Sequence, residues 1–250
     1  MEKISDSKIE LILQDLELTY ENWLLKLDSI NCNIRYSGKP KLSASSAGLC
    51  HLKHYFKMKE MPKLPVDRKS LKKMRLGTIV HEDVQKSLEY FFNDYEIICE
   101  LPVRYKSVKG HIDIVVKVAD KKCILIDIKT MAAYSWSLKY GRKANKDAAK
   151  WSKLQLATYA LGLMETYGYE EVYMYLWNYN KNNSDMRFES IDPEYVKIAA
   201  DYWNEAELRL KSWEDIKYDD MKWETINAPE FTWECRYCDY ANVCPKKISK

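Results

Sequence analysis

The chain has 250 residues, 46% hydrophobic and 31% charged, enough to bury one substantial core with appendages but short for two large domains. No stretch approaches the ~18 uninterrupted apolar residues that span a bilayer, and the opening MEKISDSKIE, charged from its second residue, does not read as a secretion signal, so a soluble cytoplasmic protein is expected. A net charge of +3 does not by itself demand a polyanionic partner, and few glycines and prolines beside 19 tyrosines and eight tryptophans argue against disorder or a Gly-rich repeat.

Leu11, Ile12, Leu16, Tyr20, Trp23, Leu24 and Leu27 recur at helical spacing and predict an amphipathic scaffold helix from about Asp6 to Leu27. The hydroxyls of Ser43–Cys50 predict a short helix starting near Ser45, with Cys50 in its first turns, followed by a basic, proline-marked connection from Lys57 to Lys69. From Leu71 to Phe92, Met74, Gly77, Val80, His81, Val84, Leu88 and Phe91 recur every three or four residues, which puts His81 on the buried face of a long helix. After Asn93-Asp94 the period changes, and Glu96–Tyr105, Gly110–Val118 and Cys123–Lys129 read as a three-strand meander. A polar, basic stretch from Tyr134 to Lys150 leads into a helix with Trp151, Leu154, Gln155, Thr158, Tyr159 and Leu163. Val172–Asn178 reads as a strand, Asp192-Pro193 as the start of a helix reaching about Trp213, and the tail ends in a cysteine group.

The strongest chemical signal is Gly110-His111-Ile112-Asp113 followed by Leu125-Ile126-Asp127-Ile128-Lys129. Alternation along a strand brings Asp127 and Lys129 out on one face, while Ile124, Ile126 and Ile128 fill the other. Asp113 sits among apolar neighbours, where an uncompensated carboxylate is costly. Whether the two acids share a face depends on the hairpin between their strands. A two-residue loop of Asp120-Lys121 sets Asp113 opposite Ile128, whereas a three-residue loop pairing Val118 with Lys122 sets it opposite Asp127, and the second is predicted. Two close carboxylates then require a cation, and hard oxygen ligands suit Mg²⁺ or Mn²⁺, whose acidified water and charge are what phosphodiester hydrolysis needs. Lys129 could orient that water or offset charge, and a general-base role would need a strongly depressed pKa. An Asp-x-Lys on a strand is common taken alone, a histidine on an apolar helix face is often a core group, Gln155 and Tyr159 could be helix surface, and His111 is expected to be solvated at a strand edge.

The order of these parts resembles the PD-(D/E)xK nuclease superfamily, in its RecB-like, CRISPR-adaptation-type branch, over Ser43 to Pro245. The resemblance implies an α/β restriction-endonuclease-like core, a mixed central sheet flanked by helices, with a C-terminal iron–sulfur cluster region. It implies His81, Asp113, Asp127 and the main-chain carbonyl of Ile128 as metal ligands, Lys129 as the catalytic lysine, and Gln155 and Tyr159 as the Gln-x-x-x-Tyr helix motif near the scissile phosphate. Many relatives carry Glu where this chain has Asp127.

Cys235-x2-Cys238-x5-Cys244-Pro245 offers three soft ligands and requires a fourth. Clustered thiols without an export signal more often hold metal than form disulfides. The resemblance implies one cysteine before the nuclease core and three after it, around a [4Fe-4S] cluster, which makes Cys50 the fourth; zinc, with His51 as a substitute ligand, is the alternative. The strand cysteines Cys99 and Cys123 are expected to pack, and Cys32 has no grouping.

Lys139, Arg142, Lys143, Lys146, Lys150 and Lys153, interleaved with Tyr134, Trp136, Tyr140 and Trp151, are the candidate DNA contact, combining backbone attraction with base stacking. Arg68, Lys69, Lys72, Lys73 and Arg75 form a second basic cluster, and either cluster could be a solvated face. The expected organisation is a helical segment over 1–42, a nuclease core over 43–218 and a cysteine segment over 219–250 packed with Cys50. The expected activity is hydrolysis of DNA, as single strands or ends, in recombination, repair or CRISPR-type adaptation, in a cell or in a phage-infected host. A catalytically silent DNA-binding or scaffold subunit and an RNA nuclease are the rival readings.

Overall fold

The computed structural model describes residues 16, 18–19, 21–27, 29, 42–91, 95–145, 149–223, 226 and 232–246. In chain order the elements are β1 (Leu42–Ser43), α1 (His51–Met58), α2 (Arg68–Phe91), β2 (Glu96–Tyr105), β3 (Val108–Ala119), β4 (Lys122–Met131), α3 (Ala133–Tyr140), α4 (Lys150–Tyr167), β5 (Glu171–Asn180), β6 (Met186–Ser190) and α5 (Glu194–Trp213), with 3-10 turns at Ala44–Ser46, Tyr218–Asp220 and Thr232–Tyr237. By contacts the chain divides into two units, Met1–Lys39 with Pro65–Val80, and Pro40–Leu64 with His81–Lys250.

In the first unit residues 21–27 are helical, and Leu24 is buried while Leu16 and Trp23, expected on the apolar face, are exposed. Leu11, Ile12 and Tyr20 lie outside the described residues, as does Cys32. Asp67 caps α2 by accepting the Ser70 backbone N–H at 2.9 Å and the Ser70 hydroxyl at 2.6 Å. Two members of the second basic cluster are engaged here, since Arg68 and Lys72 reach Glu21 at 2.6 and 2.7 Å and hold its carboxyl below the usual range. Met74 is exposed rather than buried.

The second unit is built on a six-stranded mixed sheet in the order β1-β3-β4-β5-β6, with β2 paired to β3. β2, β3 and β4 form the expected antiparallel meander, and β5 lies parallel to β4 after a crossover through α3 and α4. Ile and Val crowd both faces of β3 and β4, which suits strands covered on two sides. On one face Ile112, Val115, Leu125, Met174 and Leu176 pack with Leu156, Ala160 and Leu163 of α4 and Trp203 of α5. On the other, Ile114, Val116, Ile126 and Ile128 pack with Val84 and Leu88 of α2. A third cluster joins Leu52, Tyr55 and Phe56 of α1 to Leu210, Met221, Ile226 and Tyr240.

Three local features differ from the sequence expectations. The β3–β4 turn has two residues, since Ala119 pairs with Lys122, but the register shifts at Val118 so that pairs from Lys117↔Cys123 to Ile114↔Ile126 follow the parity that sets Asp113 toward Asp127. A bulge therefore supplies the offset that a three-residue loop was expected to give. Cys50 caps α1 instead of lying inside a helix, because Ala44–Ser46 forms a separate 3-10 turn. The helix α3 falls in the stretch read only as polar and basic, and the edge strand β6, which pairs with β5, in residues assigned no element from sequence.

β2 follows β3 from end to end, so β4 and the short β1 share its other edge, β4 opposite Ile114–Ala119 and β1 opposite Val108 and Lys109. The sheet forks between them. β2 and β3 also crease together at Glu100 and Asp113: Cys99 and Ile114 face α2, whereas Leu101 and Ile112 face α4. Glu100 has a left-handed φ of 52°, which costs a non-glycine residue about 1–2 kcal/mol.

Candidate active site

The fork in the sheet gathers the acids. Asp113 lies one step past the last β3–β4 pair, so its carboxylate reaches across to the partner strand and accepts the Ile128 backbone N–H at 2.7 Å. This satisfies a buried donor that the ladder has abandoned. In a strand the N–H and C=O of one residue point to the same edge, so the Ile128 carbonyl also looks into the fork. His81, on α2, brings Nδ1 to 3.5 Å from the same Asp113 oxygen. The imidazole is half-buried rather than on a fully buried helix face. Burial alone lowers its pKa, but the hydrogen bond and charge of Asp113 and the charge of Asp127 outweigh that, and the net shift is upward.

Asp127 and Lys129 emerge on one face of β4, as the alternation requires, with Nζ 2.7 Å from Asp127 Oδ2. Asp127 is 1% exposed. Burial pushes its carboxyl up to about 6, Lys129 holding the rise back and Asp113 adding to it. Gln155, on α4, links the group: its Oε1 accepts from Lys129 at 3.1 Å, and its Nε2 donates to Asp127 Oδ1 at 3.3 Å and to the Tyr159 hydroxyl oxygen at 2.9 Å. Burial raises the Tyr159 pKa out of the ordinary phenol range, which keeps it neutral. Gly110 explains the glycine of Gly-x-Ile-Asp, since a Cβ there would stand 2.4 Å from Tyr159 Cε1.

These residues suit a hard divalent cation. Asp127 Oδ2 is buried and lacks an aligned hydrogen bond, although Lys129 approaches it closely. Two carboxylates and a main-chain carbonyl are the oxygen donors that Mg²⁺ and Mn²⁺ take, and the imidazole is a softer donor beside them that favours Mn²⁺ over Mg²⁺. Among the described residues no three His, Cys, Asp or Glu side chains stand ready at coordination geometry, so an ion would exchange some of the present hydrogen bonds for its own.

Cys50, Cys235, Cys238 and Cys244 line one small pocket, beside Glu234 and Lys53. The Glu234 carboxylate accepts the Cys50 backbone N–H at 3.0 Å. None of the four is in a disulfide, and thiols are the donor type that a soft metal or an iron–sulfur cluster takes, although these four, like the acids, do not already stand at coordination geometry. His51 is not part of that wall; it stacks on Tyr202 with ring centroids 5.0 Å apart. Cys99 and Cys123 stand apart in their strands, their thiols pushed up to about 11 and about 12 by burial.

The basic run does not form one surface. Lys139 turns inward, ion-paired with Glu189 and donating to Asn178 Oδ1 at 3.1 Å, and is 9% exposed. That burial removes it from the expected contact surface. Lys153 also reaches Glu189, at 3.3 Å. Arg142 and Lys143 are exposed, Lys150 is half-buried at the start of α4, and Lys146 lies outside the described residues. Trp136 and Tyr140 pack together, with the Arg187 guanidinium 5.7 and 5.2 Å over their rings, while Tyr134 is 75% exposed. His111 is exposed, as the solvated-edge reading expects. Sequence reasoning missed Gln85 and Glu100, whose side chains meet beside Asp113, although Gln85 stands one helical turn from His81.

Residues 89–245 match the sequence model of the PD-(D/E)XK nuclease superfamily. Over 179 residues the chain is 25% identical to the CRISPR-associated exonuclease Cas4 of Saccharolobus solfataricus, an alignment covering 70% of this chain and 72% of that protein. The crystal structure of SSO0001 superposes with a TM-score of 0.57 at 16% identity, over 92% of this chain and 98% of that one, which establishes a shared fold. The alkaline exonuclease LHK-Exo from Laribacter hongkongensis aligns at a TM-score of 0.42 and 12% identity, over 70% of this chain and 92% of that one.

Proposed function

The chain belongs to the PD-(D/E)XK nuclease superfamily, and from that premise we propose that it is a divalent-metal-dependent exonuclease that hydrolyses DNA, as single strands or from ends, leaving 5′-phosphate and 3′-hydroxyl products. The observation that carries this reading is the fork in the sheet, where Asp113, Asp127, Lys129 and His81 converge with Gln155 and Tyr159.

His81, Asp113, Asp127 and the Ile128 carbonyl are the proposed ligands of Mg²⁺ or Mn²⁺. When bound, such a cation supplies an acidified water and positive charge for the phosphate. Asp127 must give up its proton to serve, and its raised pKa, about 6, leaves it mostly ionised near neutrality. Lys129, fixed by Gln155 and Asp127, holds its amine beside the pocket, where it orients the attacking water or offsets charge on the phosphate. Tyr159 is a neutral phenol whose oxygen already accepts from Gln155, so its O–H proton is available for a phosphate oxygen. Arg142, Lys143, Lys146 and Lys150, with the exposed Tyr134, are the proposed contacts to the strand, by charge and by stacking. The four-cysteine pocket is the proposed seat of a [4Fe-4S] cluster with a structural role. The relative's name makes CRISPR-type adaptation one setting, beside recombination and repair and including a phage-encoded form.

The test incubates end-labelled single-stranded DNA and matched RNA with the full chain in Mg²⁺, Mn²⁺ or chelator. Metal-dependent shortening of the DNA is expected, falling at least ~10³-fold in Asp113→Ala and Lys129→Ala. Binding without metal-stimulated cleavage would instead identify a silent DNA-binding subunit, and preferential loss of the RNA an RNA nuclease.

A further inference from the structure

We propose that Gln85 and Glu100 are positioning residues that hold His81 and Asp113 in register across the crease in the sheet, an inference that rests on the nuclease reading above. Gln85 is 9% exposed and lies on α2 one turn beyond His81, on the same helical face. Its Nε2 donates to the main-chain carbonyl of Asp113 at 3.0 Å and to Glu100 Oε1 at 2.8 Å. A carbonyl and a carboxylate accept and cannot donate, so the amide orientation is locked with its NH₂ toward both. One side chain therefore ties the helix that carries His81 to both strands that meet at Asp113.

The crease gives that tie its purpose. Glu100 stands directly across from Asp113, between the pairs Cys99↔Ile114 and Leu101↔Ile112, and its φ of 52° bends β2 where β3 changes face. A bend in a left-handed conformation persists only when its surroundings hold it. Here the hold is the Gln85 amide, on the side of Asp113 away from the β4 strand whose Ile128 N–H that aspartate caps. Asp113 is thus fixed through its backbone by Gln85 and through its side chain by Ile128, leaving His81 Nδ1 3.5 Å away at the open side. Loss of the amide leaves a buried carbonyl short of its donor and frees the helix to shift against the strand. The consequence falls on the shared ligation geometry of His81 and Asp113, where outer hydrogen bonds commonly tune metal affinity ~10–100-fold.

The experiment measures Mn²⁺ binding to the full chain by titration calorimetry without DNA, and DNA cleavage as a function of Mn²⁺. For Gln85→Leu, Mn²⁺ affinity should fall ~10-fold or more, with cleavage returning to within about threefold of wild type at saturating Mn²⁺. Glu100→Ala should behave alike, and Glu100→Gln, which keeps an acceptor for the amide, should restore most of the affinity. If Glu100→Gln is as weak as Glu100→Ala, the carboxylate acts through its charge and the positioning role is wrong. Wild-type affinity in a folded Gln85→Leu, or in Glu100→Ala if the former does not fold, overturns the proposal while wild-type cleavage stands. A wild-type chain that neither binds Mn²⁺ nor cleaves overturns the nuclease reading itself, and this inference with it.

Discussion

At the scale of single residues, Asp127 of the candidate site and the buried histidine of α1 show how the same desolvation has opposite signs. Asp127 is pushed up toward neutrality because burial penalises its charged form, while His54, 2% exposed, is pushed down to about 3 for the same reason, with His51, Lys57 and Lys53 adding to the fall. His54 Nε2 meets the Tyr202 hydroxyl at 2.7 Å, and that hydroxyl donates to the Leu49 carbonyl at 2.8 Å, so the neutral Nε2–H tautomer satisfies the set. In the unfolded chain His54 takes up a proton below about 6.5, whereas in the fold it resists until about 3. Its contribution to stability is complete above the first value and is lost as pH falls toward the second, at up to about 1.4 kcal/mol per pH unit. Urea unfolding at pH 7.5 and 5 should therefore show a larger acid loss in wild type than in His54→Gln; equal losses would mean that the imidazole is already charged in the fold. This histidine was not singled out from sequence, because nothing in HLKHYF distinguishes a buried imidazole from a surface one. Asp113, Asp127 and Lys129 were legible, since strand alternation and two spaced acids carry their own geometry.

Among the elements, α4 decides how well the site holds together, because it carries Gln155 and Tyr159 and packs on β2 through Gly162. A Cβ at Gly162 would lie 2.9 Å from Val103 Cβ, an atom fixed to the backbone that cannot swing aside. Gly162→Ala gains about 1 kcal/mol of helix propensity but overpacks by about 1–3 kcal/mol, so a net loss is expected, lowering the thermal midpoint by about 2–4 °C per kcal/mol lost. The same displacement of α4 should weaken the Gln155–Lys129 contact and cleavage with it; an unchanged or raised midpoint would mean that helix and strand are not in close contact there. The element types were readable where period and capping agree, as in α2, β3 and α5, where Asp192 accepts the Glu194 N–H at 2.9 Å. They were not readable in Ala133–Tyr140, whose helix lacks a side-chain cap and exposes Leu138 while burying Lys139, nor in the short edge strand Met186–Ser190. The β3–β4 turn was misread for a related reason: a bulge at Val118 leaves no mark in residue type, though the facing of the two acids was right.

At the scale of the whole unit, residues from distant parts of the sequence meet at the thiol pocket. Cys50 sits at the N-cap of α1, Cys235 lies in the 3-10 turn Thr232–Tyr237 with Cys238 and Cys244 after it, and Cys50, Cys238 and Cys244 pack against the third apolar cluster beside Phe56, Met221 and Tyr240. A shared metal or cluster would make the ligands act as one device, whereas thiols that only pack would act separately. Cys50→Ser and Cys238→Ser should therefore lose bound iron and the broad visible absorption of anaerobically purified protein together, and melt at the same lowered temperature, although they sit far apart in sequence. The double variant should be no worse than either single one, since the second loss removes nothing that the first has left. Packing alone predicts small, additive drops of about 1 kcal/mol each and no metal in the wild type. Stoichiometric zinc without visible absorption would keep the four-cysteine ligand set and displace iron from it, because tetrahedral thiolate coordination ties the same segments together by the same entropic and enthalpic route.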